Sequence, residues 1–148
     1  MDAFTVALAQ MDCALADKEQ NLGRCLSLID AAARQSARLV VFPEAALTGY
    51  GFASLDEASP HAEPVPGPST ERLIDKCRSA NLYAIVGLLE AESDRVYNTA
   101  ALLGPGGVDH SITQRQPEAV LDHPPQGVLE DRVVDAGEEL AHVRLEDV

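Results

Sequence analysis

Apolar and polar positions change period several times along the first hundred residues. Residues 4–9, FTVALA, are short, almost wholly apolar and β-branched near their start, as a buried strand requires. From Asp17 the text becomes DKEQNLGRCLSLIDAAARQSA, in which Leu22, Cys25, Leu26, Ile29, Ala32 and Ala33 recur at helical spacing. Acidic residues in its first turn and Arg34 and Arg38 near its end complement a helix dipole, so the pattern predicts a helix over residues 17–37. Residues 39–42, LVVF, follow at once as a second buried strand. Pro43 closes it, having no N–H to give a ladder. Strand, helix, strand in such quick succession is an α/β unit.

Residues 64–70, PVPGPST, read as a loop ending in a hydroxyl N-cap, and TERLIDKCRSAN then sets Leu73, Ile74 and Cys77 on one face of a second helix, 70–80. Two apolar runs, 83–89 and 97–103, flank the polar ESDR and predict a hairpin ended by GPGG. Both helices carry a single apolar stripe, which predicts that they pack on one face of a sheet of at least four strands. No internal repeat or low-complexity tract interrupts the pattern.

Composition narrows the class. A chain of 148 residues with 46% hydrophobic content can bury one core, so a single α/β domain is expected. No apolar run approaches the roughly 20 residues of a membrane span. The opening MDAFTVALAQMD lacks the basic region of a secretory leader, which predicts a cytoplasmic protein. The net charge of −13 argues against nucleic acid and anionic membranes as partners. Cys13, Cys25 and Cys77 form no CxxC pair and have no His set at metal-ligand spacing, so free thiols and no metal or cofactor are expected, with Cys25 a packed core thiol.

Charge is also unevenly spread. Residues 1–108 carry a net −6 and residues 109–148 a net −7. The chain is therefore divided into 1–107 and an acidic tail, 108–148, where PEAVLDHPPQG breaks any regular element and weak order is expected.

The candidate chemistry lies in VVFPEAALTGY, residues 40–50. Glu44 directly follows a buried strand, at the sheet's carboxyl edge, where open α/β sheets place functional groups. Two readings stand on spacing alone. Glu44 is a general base in a partly dry pocket, or it caps the following turn or meets an arginine.

VVFPEAALTGY, with the opening VALAQMD, Asn21, PGPST, IVGLLE and VYNTAALLGPGG, in that order, resembles the nitrilase superfamily of carbon-nitrogen hydrolases. The resemblance covers residues 4–107. It implies an α-β-β-α sandwich and a Glu-Lys-Cys triad acting on small amide, nitrile or carbamoyl substrates, with Glu44 as the general base. In such a triad a thiolate attacks carbon, the glutamate takes its proton and later activates water, and the lysine stabilises the tetrahedral anion.

The remaining two members of the triad find no match. Lys18 and Lys76 lie on the helices, upstream of where the lysine belongs. GVLEDRVVDAGEEL, residues 127–140, is similar to the stretch after the family's lysine motif; His123 and Pro125 then stand for its end and Leu121 replaces the lysine. Glu130 or Asp131 would correspond to an additional acid. Cys13, Cys25 and Cys77 match no nucleophile position. The expectation is a truncated N-terminal half, inactive alone, that forms a homo-oligomer or lacks its second half. Two alternatives remain: a binding or regulatory half-domain, and an unrelated α/β domain using Glu44 structurally.

Overall fold

The computed structural model describes residues 4–114 and 139–145. The strands are β1 (Phe4–Gln10), β2 (Ala37–Val41), β3 (Tyr83–Glu92), β4 (Arg95–Gly104), β5 (Gly107–Gln114) and β6 (Glu139–Leu145). The helices are α1 (Lys18–Arg34), the short α2 (Leu55–Ala58) and α3 (Pro68–Ala80). All six strands form one sheet in the order β5-β4-β3-β2-β1-β6. β1, β2 and β3 run parallel, while β4, β5 and β6 are antiparallel to their neighbours.

Local chemistry explains most boundaries. The Asp17 carboxylate accepts from the Gln20 N–H at 3.1 Å and caps α1, and Arg34 sits in its last turn. The helix ends at Arg34, short of the predicted 37, because Ser36 takes a φ of 60° and Ala37 already opens β2. Its buried face is Asn21, Leu22, Cys25, Leu28, Ile29 and Ala32. Leu28 thus goes deeper than the expected Leu26, which packs at the margin of the core. α3 starts earlier than predicted. Gly67 is its N-cap and Pro68 its first residue, while the Thr70 hydroxyl accepts from the Gly67 N–H at 2.7 Å. Leu73, Ile74 and Cys77 face inward as expected.

Both long helices lie on one face of the sheet, joined by Arg72–Glu19 and Lys76–Asp30 ion pairs of 2.9 and 2.8 Å. Under them the cross-strand row Ala7, Val40, Ala84 and Leu103 has no solvent exposure. The adjacent row points the other way. Leu8, Val41, Ile85 and Leu102 are aligned by the same registers, yet Leu8 is 40% exposed and the other three are only half-buried. Among the described residues one helix layer covers one face of the sheet and leaves the second face apolar and open, so both long helices share a face as their single apolar stripes predicted.

Two strands depart from the expectation of weak order after residue 109. β5 extends the hairpin past the Gly104-Pro105-Gly106-Gly107 turn, and β6 pairs with the far edge of β1. Net charge averaged over forty residues hides two short stretches capable of strand pairing. No helix among the described residues is long and apolar enough to cross a membrane.

Candidate active site

Val41 ends β2, but the ladder continues one step, with the Phe42 N–H donating to the Ile85 carbonyl at 2.9 Å. Pro43 stops it. The chain then turns sharply at Ala45, whose φ is 49°, and its carbonyl accepts from the N–H groups of Thr48 and Gly49. Residues 45–49 are buried beneath this turn while Glu44 is exposed at the carboxyl end of the parallel strands.

The turn fits only because β3 gives way below it. A β-carbon on Gly87 would lie 2.5 Å from the Ala45 nitrogen and 2.7 Å from the Glu44 Cα. Gly49 has a φ of 73°, and a β-carbon there would meet the Ala14 carbonyl at 2.9 Å. Asn21, fully buried on α1, ties the two loops together. Its amide donates to the Ala14 and Leu47 carbonyls at 2.7 and 3.1 Å and accepts from the Ala14 N–H at 2.9 Å. The Glu44 backbone is thereby fixed from below and from the side.

Its carboxylate meets two further groups. The Asn98 amide, on β4, donates to Glu44 Oε1 and lies 3.5 Å from the Tyr50 hydroxyl. Tyr50 is pushed up to about 12, first by partial burial, then by its hydrogen bond to Glu44 and the nearby negative charge, with Asn98 opposing. Glu44, Asn98 and Tyr50 form one polar cluster at the edge of an apolar sheet face. The partly dry pocket expected around Glu44 is not formed by the described residues, since the side chain faces solvent.

The lysines and cysteines are placed elsewhere. Lys18 Nζ stands 2.9 Å from the buried carboxylate of Glu63, which also accepts from the Ser69 N–H and hydroxyl at 2.9 Å each. Lys76 pairs with Asp30. Cys25 and Cys77 are fully buried, and burial pushes the Cys77 thiol up to about 11. Burial also raises Cys13, with Asp12 adding and Arg24 opposing. Thiols held protonated in this way are poor nucleophiles. Leu121, His123, Pro125, Glu130 and Asp131 lie outside the described residues.

Sequence reasoning missed Asn98 and Tyr50 as partners of Glu44. The available signal was the break in β4's alternation, where Asn98 interrupts Val96, Ala100 and Leu102 on one side of the strand.

A family model described as Carbon-nitrogen hydrolase matches residues 5–146. The chain is 36% identical over 103 residues to a nitrilase of Pyrococcus abyssi, covering 69% of this chain and 39% of that protein. It is 35% identical over 108 residues to an omega-amidase of Homo sapiens, covering 72% and 38%. Among solved structures it is similar to an N-terminal amidase, with a TM-score of 0.68 at 25% identity over 81% of this chain and 30% of that one. The chain thus spans about two-fifths of the curated relatives it matches.

Proposed function

This chain belongs to the carbon-nitrogen hydrolase family, and from that premise we propose that it is the N-terminal part of an amidase-type or nitrilase-type enzyme, with Glu44 as the general base. The observation that carries the reading is Glu44 itself: an exposed carboxylate at the carboxyl end of β2, on a backbone fixed by Gly87 and Asn21, with an oxygen accepting from Asn98. A base needs that access and that fixed aim.

In this reading the substrate is a small amide, nitrile or carbamoyl compound. For an amide, Glu44 takes the proton of a cysteine thiol as sulfur bonds to the carbonyl carbon. The proton passes to the departing nitrogen as the C–N bond breaks, leaving a thioester. Glu44 then takes a proton from water, whose oxygen attacks the thioester and releases acid and thiol. A lysine stabilises each tetrahedral anion. Neither that lysine nor that cysteine has a match in these 148 residues, so we infer that the chain alone is inactive in the cytoplasm and that a second half supplies both.

The test fuses residues 1–107 to the lysine- and cysteine-bearing remainder of a relative. Turnover of simple amides that disappears in Glu44→Gln supports the reading. Turnover unchanged by Glu44→Gln refutes the base role.

A second reading rests on the apolar row Leu8, Val41, Ile85 and Leu102. This half-domain acts as a non-catalytic binding or regulatory module that pairs through that face. Co-purification with a cysteine-bearing partner, with no gain of turnover, favours it over the enzyme.

A further inference from the structure

Asn98 is separated from Glu44 by 54 residues of sequence and reaches it from a different strand. Its neighbours on the same side of β4 are apolar, and its register partners are Leu89 on β3 and Gln114 on β5. Its amide is half-buried and donates to the Glu44 carboxylate, with the Tyr50 hydroxyl at the limit of hydrogen-bond reach. The Glu44 turn itself is already held through its backbone by Asn21 and Gly87. Asn98 acts on the part those residues leave free, the side-chain torsions.

The chemistry of the amide suits this task. A carboxamide donates but does not ionise in the working pH range, so it can aim a carboxylate without competing for the proton that the carboxylate must carry. An aspartate in its place would repel Glu44. An arginine or lysine would aim it equally well but would bind it as a fixed ion pair. Each amide nitrogen has two N–H groups, and Asn98 can direct one at Glu44 and the other at Tyr50.

We propose that Asn98 is the positioning residue for Glu44, its neutral amide holding the carboxylate in one rotamer and setting the Tyr50 phenol beside it. The proposal rests on Glu44 being the base, and it extends the site from the β2 loop to the hairpin. Hairpin order and base geometry are then linked.

The test is side-chain NMR on the 148-residue chain at neutral pH. One Asn98 amide proton is expected downfield in the wild type and is expected to move upfield in Glu44→Gln. The Glu44 side-chain couplings are expected to report one rotamer in the wild type and averaging in both Asn98→Ala and Asn98→Leu. The leucine keeps roughly the volume of Asn98, adds no charge and loses the donor, so a packing role would leave Glu44 ordered in that variant. A single Glu44 rotamer retained in Asn98→Leu, or an Asn98 amide that ignores Glu44→Gln, overturns the proposal. Where the Asn98 variants do not fold, the comparison of wild type with Glu44→Gln decides by itself. If the contact is present while Glu44→Gln leaves the fused enzyme's turnover unchanged, the base reading fails and the positioning of Glu44 by Asn98 stands.

Discussion

Gly87 lies directly under Glu44: a β-carbon on the strand residue would come within 2.7 Å of the loop residue's Cα. The contact is with backbone that Asn21 and Ala45 already hold, so it cannot be relieved by a side-chain rotation. Gly87→Ala is therefore expected to cost about 1–3 kcal/mol through overpacking. Urea denaturation measures the loss, and an unchanged midpoint would show that the loop is free to move.

Asn21→Ala removes three hydrogen bonds, leaving the buried Leu47 carbonyl and the half-buried Ala14 backbone groups without their partner. A loss of at least about 2 kcal/mol is expected, since each unsatisfied buried group costs roughly 1–3 kcal/mol. Gly23, two positions along the same helix, is the control. A β-carbon there meets nothing within 4 Å, so Gly23→Ala should stabilise the chain by about 0.5–1 kcal/mol.

Tyr50 gives an alkaline signature. Its pKa in the folded chain is raised to about 12 from 10.0, so the folded state keeps a proton that the unfolded state releases first. The stability this contributes is complete below pH 10 and is lost as pH rises to about 12. Tyr50→Phe should remove that component from the pH dependence of unfolding, and Glu44→Gln should reduce it. Equal alkaline slopes in all three proteins would contradict the Glu44–Tyr50 contact.

The open row Leu8, Val41, Ile85 and Leu102 should drive self-association, because an apolar sheet face of this kind is rarely left in water. Sedimentation should show a concentration-dependent rise in mass for the wild type. Ile85→Lys should shift it toward monomer. A wild-type monomer over a wide concentration range would count against any covering layer on this face.

The 148-residue chain should give no turnover of amides, nitriles or carbamoyl amino acids. Losing one transition-state donor costs roughly 3 kcal/mol, about a hundredfold or more in rate, and here the nucleophile has no match either. Turnover that vanished in Glu44→Gln would mean that a cysteine of this chain reaches Glu44, and Cys13→Ala, Cys25→Ala and Cys77→Ala would identify it.

Periodicity made the α1 and α3 stripes and the first four strands legible, because each is set by local burial. Glu44 was legible as the residue that follows a buried strand and a proline. Its exposure was not, since burial depends on what lies across the sheet. Asn98 escaped because a hydrogen bond spanning 54 residues leaves no periodic trace. α2 is one turn long, too short for a period to register. Gly67 displaced the expected hydroxyl cap because Pro68 fits the first helical position, which puts Thr70 inside the helix. β5 and β6 were hidden by a charge count that averaged over them.

The sheet order has a kinetic consequence. β3, β4 and β5 are successive neighbours joined by tight turns, so their pairings close short loops and can form early. β1 is different. Its partners are β2, across a whole helix, and β6, whose residue Leu145 lies opposite Phe4 at the other end of the sequence. Closing that loop is the largest entropic step in the fold. Refolding should therefore show a fast phase that orders the hairpins and a slower one in which β6 docks. In the interval between them the free edge of β1 offers its unpaired backbone to any other chain in solution.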